Sequence, residues 1–167
     1  MNRKWPSVSI NQDSVSHKDV EIDTDVVQQF SDRHPAKIEI EYTNKSDKRR
    51  ELSFGTSPPF SAIVTKNEEG NALAVIPDDH NGIYVNSPES VLPKRKSDNC
   101  WKLPSGGLVT TVAATIVTVE KHGSVSEEYS ILDGNNDTCL PSGLYRFEED
   151  HYFDRDEPWG IGLKLER

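Results

Sequence analysis

The amino-acid sequence predicts an all-β fold, an antiparallel β-sandwich of about seven to nine strands. Short segments in which apolar and polar side chains alternate follow one another along most of the 167 residues. Clusters of Gly, Pro, Asn and Asp separate these segments, and no segment shows the apolar period of an amphipathic helix. Only 34% of the residues are hydrophobic, which suits a thin core between two layers whose outer faces meet solvent.

Alternation is clearest between residues 36 and 42, where every even position is apolar and every odd position is charged. Residues 60–65 and 72–76 flank a polar loop and predict a hairpin. The run 108–120 is rich in Val, Thr and Ile, whose β-branched side chains favour strands. Residues 159–166 alternate again and predict a closing strand.

A short edge strand is predicted near residue 20, where Val20 and Ile22 alternate with acidic residues. Charges that point outward from an edge strand discourage pairing with a neighbouring chain. Residues 1–17 have no periodicity and are predicted to be a flexible segment. Residues 18–167 are predicted to form the single sandwich domain.

The charge balance excludes some partners. The formal net charge is -9, from 28 acidic and 19 basic residues. Such a balance argues against nucleic acid as a partner and against adhesion to anionic lipid. No apolar run reaches the roughly 18 residues that cross a bilayer, so direct membrane insertion is not expected.

The two cysteines, Cys100 and Cys139, predict one disulfide. Each lies just before a copy of the tetrapeptide Leu-Pro-Ser-Gly, at 103–106 and at 140–143, so the bond would tie two turns that lead into strands. Two free, buried thiols are the alternative. A disulfide requires an oxidising compartment and so an extracellular or cell-surface location, whereas free thiols would place the protein in the cytoplasm.

The first six residues carry the positive charge of a secretion signal, but no apolar stretch follows them. Export would therefore need a signal or an anchor upstream of Met1.

The segment Gly143-Leu144-Tyr145-Arg146-Phe147 resembles the entry of strand F in immunoglobulin-type domains, which carry Gly-x-Tyr-x-Cys there. The resemblance implies an immunoglobulin-like sandwich with a corner formed by Gly143 and Tyr145, whose hydroxyl bonds back to the preceding turn. Phe147 stands where the cysteine would be, so the disulfide between the sheets of antibody domains is not expected.

Three segments resemble a more specific family, the uncharacterised immunoglobulin-like domains of secreted or surface-anchored proteins of halophilic archaea. They are 98–103, 139–149 and Trp159-Gly160, and the resemblance extends over residues 20–167. The segment 38–46 is more weakly similar to bacterial intracellular proteinase-inhibitor domains. Neither family implies catalytic residues.

Two Asn-x-Ser/Thr sequons make Asn44 and Asn136 possible glycosylation sites. No metal or cofactor is expected, because the five histidines are scattered. The acidic loops at Asp78-Asp79-His80 and at 154–157 are interpreted as solvated turns.

The sequence contains neither a Gly-x-Ser-x-Gly motif nor a glycine-rich phosphate loop, so the chain is not expected to be an enzyme. Trp101 is expected to pack against the disulfide, and Trp159 to enter the core. We expect a non-catalytic binding or structural module outside the cytoplasm, with an unknown protein or surface component as partner. The alternative is a protease-inhibitor-like module that acts through the loop at 55–60 or at 77–99.

Overall fold

The computed structural model describes residues 4–15, 17–54, 58–80, 83–85, 91–104, 108–110, 115–149 and 158–167. Within these ranges the chain forms twelve β-strands and no helix. The strands are β1 Ser7–Gln12, β2 Val20–Gln28, β3 Lys37–Asn44, β4 Arg50–Phe54, β5 Val64–Lys66, β6 Ala72–Pro77, β7 Ile83–Val85, β8 Leu108–Thr110, β9 Thr115–Val119, β10 Ser124–Asp133, β11 Gly143–Glu149 and β12 Trp159–Glu166.

Two antiparallel sheets dominate the fold and confirm the predicted β-sandwich. The larger sheet has the strand order β2-β3-β10-β6-β5, and the smaller has the order β1-β12-β11. Two ribbons, β4-β9 and β7-β8, complete the described strands. The strand number exceeds the seven to nine predicted because the run 108–120 contains two strands, β8 and β9, and because β1 lies in the segment predicted to be flexible.

Alternation fixes which side chains enter the core. Along β3 the even positions are buried and the odd positions are partly exposed, as the period of two predicts. The smaller sheet contributes Tyr145 and Phe147 from β11 and the odd-numbered residues of β12. Trp159 is 1% exposed and its ring meets Phe60 edge-on at 5.7 Å between centroids, so its predicted place in the core is confirmed.

The N-terminal segment corrects one prediction. Residues 1–17 were expected to be flexible, but Ser7–Gln12 form β1 and pair with β12, from Ser7 opposite Glu166 to Gln12 opposite Ile161. Val8 is buried in this strand. The sequence did not indicate β1 because its partner lies about 150 positions away, and strand preference depends strongly on such context.

Ion pairs to Asp32 fix the position of the chain just before β1. Lys4 and Lys96 both place their ammonium nitrogens against one carboxylate oxygen of Asp32, at 2.6 and 2.9 Å. These bonds hold the pKa of Asp32 well below its usual range. The indole of Trp5 stacks on Phe30 with 6.1 Å between centroids, so the segment is docked by both charge and aromatic contact.

Candidate functional site

The predicted disulfide is present: Cys100 and Cys139 are bonded, with 5.8 Å between their Cα atoms. It joins the segment before Trp101 to the loop between β10 and β11. Trp101, adjacent to Cys100, is 2% exposed, and its indole donates a hydrogen bond to the carbonyl of Ser31 at 2.8 Å. In the second Leu-Pro-Ser-Gly copy Leu140 is fully buried. Ser105 and Gly106 of the first copy lie outside the described residues.

Asp133, the last residue of β10, organises the same corner. Its carboxylate accepts hydrogen bonds from the Leu140 amide at 2.9 Å and from the backbone and side-chain amides of Asn136 at 2.9 and 2.7 Å. Its backbone pairs with Trp101 and Leu103 on the other side of the disulfide. The sequence predicts a turn at this position. It does not indicate that Asp133, the first residue of the turn, is only 1% exposed.

The tyrosine corner has the geometry that the immunoglobulin resemblance implies. The Tyr145 hydroxyl donates a hydrogen bond to the carbonyl of Pro141 at 2.7 Å. Burial raises the pKa of this phenol to about 12, with a further contribution from the charge of Asp133. A Cβ atom at Gly143 would lie 3.0 Å from Nδ2 of Asn67, so a larger residue would crowd this corner.

The structure argues against the predicted glycosylation of the Asn44 sequon, because its amide is buried and bonded. Asn44 is 0% exposed at the end of β3. Its Nδ2 donates to the carbonyls of Lys48, Val119 and Glu120 at 2.8, 3.1 and 3.2 Å. Its Oδ1 accepts from the amide and hydroxyl of Ser46. The tripeptide is a hydrogen-bonded turn, and a glycan has no room on this nitrogen.

The Asn136 sequon is also structural. Its Nδ2 donates to the carbonyl of Ala72 at 2.8 Å and to Asp133 at 2.7 Å, while its Oδ1 accepts from the Ala72 amide. A glycan would replace one of these two donated bonds, so the structure argues against the predicted modification here as well.

Glu149, at the end of β11, is a titratable group that sequence reasoning did not single out. Its carboxylate accepts a hydrogen bond from the Ser61 amide. Burial raises the pKa of Glu149 to about 7, against the opposing effect of the amides of Ser61 and Ala62. The folded state therefore favours the protonated acid more strongly than the unfolded state does.

This raised pKa predicts a pH-dependent stability. The contribution is complete below the unfolded pKa of 4.5 and is lost as the pH rises through about 7. We expect the free energy of unfolding to fall by roughly 3 to 3.5 kcal/mol across this window, because the pKa difference of about 2.5 units is worth about 1.4 kcal/mol per unit. Glu149→Gln should remove this slope, as measured by urea unfolding at several pH values. Glu148→Gln, at the exposed neighbour, should retain it, and equal slopes in both variants would contradict the prediction.

A seam separates the facing edges of β1 and β2. The two strands belong to different sheets and are bridged by side-chain amides. Gln29 accepts from the Val8 amide at 2.7 Å and donates to the Val8 carbonyl at 2.9 Å. Gln12 donates to the carbonyl of Ile22 at 2.7 Å and accepts from the hydroxyl of Thr24. The Gln29 amide thus takes the place that a backbone peptide group would have in a continuous sheet, whereas Gln12 bonds one backbone carbonyl and one side-chain hydroxyl of β2.

The seam opens into a cleft of about 440 Å³ between residues 12–15 and the start of β2, with Lys45 at its side. Asp13 lies on one wall of the cleft. It forms a bidentate ion pair with Arg146, at 2.6 and 3.0 Å, and accepts a hydrogen bond from the Gly160 amide. These bonds lower the pKa of Asp13. On the other wall Glu21 lies 3.7 Å from Lys45. We call this cleft, with the outward edge of β2, the β2-edge site.

An acidic face adjoins the β2-edge site. On the outer side of the larger sheet, Asp23 is paired with Glu41, and Asp25 with Glu39. Glu39 is in turn opposite Glu128 of β10. Like charges directly opposite one another destabilise a sheet, and here Lys37, 3.9 Å from Glu128, and Lys45, 3.7 Å from Glu21, offset part of this repulsion.

Other predicted features bring no further groups to the site. Within the described ranges no group of three or more His, Cys, Asp or Glu side chains could hold a metal ion. The acidic segment 154–157 and parts of the loops 55–60 and 77–99 lie outside the described residues, so the protease-inhibitor alternative stays a prediction. In the part of the chain that is described, no helix has the length and apolarity needed to span a membrane.

Comparison of the chain with protein-family models, with curated proteins and with solved structures finds no match. The resemblances stated for its segments remain predictions, and the function has to be inferred from the site itself.

Proposed function

We propose that this chain is a non-catalytic binding module that works outside the cytoplasm and holds its partner at the β2-edge site. The observation that carries the proposal is the seam, where two strand edges face each other across side-chain amides and open into the cleft. Strand edges are frequent recognition surfaces because their backbone groups bind an extended partner.

Three further features support the proposal. The disulfide is compatible with an oxidising compartment. The tyrosine corner and the two antiparallel sheets support an immunoglobulin-like module, a class of fold that commonly serves recognition. The charged groups of the cleft walls, Asp13 and Glu21, are engaged in ion pairs that shape the cleft, which suits binding better than proton transfer.

Binding of the labelled protein to cell-envelope preparations from the source organism tests this function. We expect saturable binding that falls at least tenfold in the double variant Glu21→Lys, Asp23→Lys. The matched control is Glu68→Lys, Glu69→Lys in the exposed turn between β5 and β6, which changes the net charge equally and should bind like the wild type. Non-saturable binding, or equal loss in both double variants, would overturn the proposal.

A further inference from the structure

We infer that a second surface of this chain, centred on Asp32, binds an anionic polysaccharide through its lysine and arginine side chains. We call it the Asp32 surface and define it by residues 4–5, 30–34 and 94–102. It shares no residue with the β2-edge site, so the inference goes beyond the proposed function and does not depend on it.

Hydrogen bonds bring the three segments of the Asp32 surface together. The ammonium groups of Lys4 and Lys96 both contact Oδ1 of Asp32, at 2.6 and 2.9 Å. The indole of Trp101 donates to the carbonyl of Ser31 at 2.8 Å and so anchors the third segment a second time. Because two ammonium groups share one oxygen, they are held close to each other before any ligand arrives. Such preorganisation lowers the entropic cost of binding.

The charge of the Asp32 surface is opposite to that of the whole chain. Its segments contain six cationic and two acidic side chains, whereas the chain has 19 and 28. Both acids are already paired, Asp98 with Lys102 at 2.7 Å and Asp32 with two lysines. Three exposed cations form no ion pair with any described residue, namely Arg33, Lys94 and Arg95. The net charge of -9 therefore conceals a local basic surface that attracts polyanions.

The aromatic rings of this surface favour polysaccharide over nucleic acid as the polyanion. Proteins that bind single-stranded nucleic acid offer aromatic rings on which the bases stack. Here the Trp5 ring stacks on Phe30, and the ammonium groups of Lys4 and Lys96 lie 5.7 and 5.6 Å from its centroid. Trp101 is buried. Neither indole is therefore free to stack a base.

The cations and the compartment point to the same class of ligand. The guanidinium groups of Arg33 and Arg95 match the paired oxygens of a carboxylate or a sulfate. The disulfide is compatible with a location outside the cytoplasm, where acidic polysaccharides are common polyanions. The ligand is therefore a sugar polymer that carries carboxylate or sulfate groups.

The probes are polygalacturonate, dextran sulfate and neutral dextran, titrated into the fluorescently labelled full chain at several salt concentrations. Purified polymers keep the result independent of the envelope partner. We expect saturable binding of at least one anionic polymer, weakened by salt, and no binding of neutral dextran. The two anionic polymers show whether carboxylate or sulfate is preferred. Failure of both to bind, or tighter binding of a single-stranded oligodeoxynucleotide, would overturn the inference.

Protein variants locate the contact. Lys94→Gln with Arg95→Gln should weaken binding about tenfold and flatten its dependence on salt, because two charge contacts are lost. The matched control is Lys48→Gln with Arg49→Gln, the same exposed dipeptide at the other end of β3, which should bind like the wild type. Circular dichroism and thermal unfolding verify that each variant is folded. Equal loss in both double variants would show unlocalised charge attraction and overturn the inference; if a variant does not fold, the polymer comparison on the wild-type chain still decides.

Discussion

Removal of the Cys100–Cys139 bond is expected to lower the free energy of unfolding by roughly 4 kcal/mol, on the chain-entropy relation for a loop of this length. The bond closes a separation of 39 residues, and in the folded state it joins two segments that already pair through Trp101 and Asp133. A loss of this size is a large fraction of the 5–15 kcal/mol that ordinarily stabilises a domain.

The measurement is urea unfolding of the oxidised protein and of the double variant Cys100→Ala, Cys139→Ala, which leaves no unpaired thiol. Wild-type protein kept in reductant serves as the control and should unfold near the double variant. Mass spectrometry after thiol alkylation, with and without reductant, establishes the redox state of each sample. Unfolding midpoints that coincide in all three samples, or free thiols in the untreated protein, would contradict the prediction.

Asn44→Ala is expected to cost about 3 kcal/mol, because it removes the partner of three carbonyls and of the Ser46 amide at a fully buried position. Asn44→Asp keeps the acceptor for Ser46 but loses the three donated bonds, so it should be nearly as damaging. Asn136→Ala, at a partly exposed position with fewer bonds, should cost about 1–2 kcal/mol and is the matched control.

Glycan attachment provides a second test of the buried position of Asn44. When the chain is expressed in a host that attaches N-linked glycans, the folded, secreted fraction should carry none on Asn44, as determined by peptide mapping. Folded protein with a glycan on Asn44 would show that the buried amide is dispensable. A loss of stability in Asn136→Ala as large as that in Asn44→Ala would contradict the burial argument.

The alternation of apolar and polar residues predicted much of the sandwich, because a period of two directly reports which side of a strand is buried. It located β3 and the closing strand β12, and it identified β2 as an edge strand, which the sheet order confirms. It failed for β1, whose pairing with β12 depends on residues at the other end of the chain. No local property of residues 7–12 reports that partner.

The site was less predictable than the fold. Sequons describe a recognition motif for modification and say nothing about burial, so Asn44 carried a functional interpretation although its amide is a structural element. The acidic residues of β2 were visible, but their position opposite Glu41 and Glu39 depends on the register with β3. The raised pKa of Glu149 also required tertiary structure, since its cause is burial beside Ser61.

The pairing of β1 with β12 has a consequence for biosynthesis. The smaller sheet has β12 at its centre, so neither β1 nor β11 has its neighbour until residues 159–166 have left the ribosome. Until then Val8, Tyr145 and Phe147 lack the strand against which they are buried. The smaller sheet therefore assembles only after β12 has been synthesised, whereas every strand of the larger sheet is complete by residue 133.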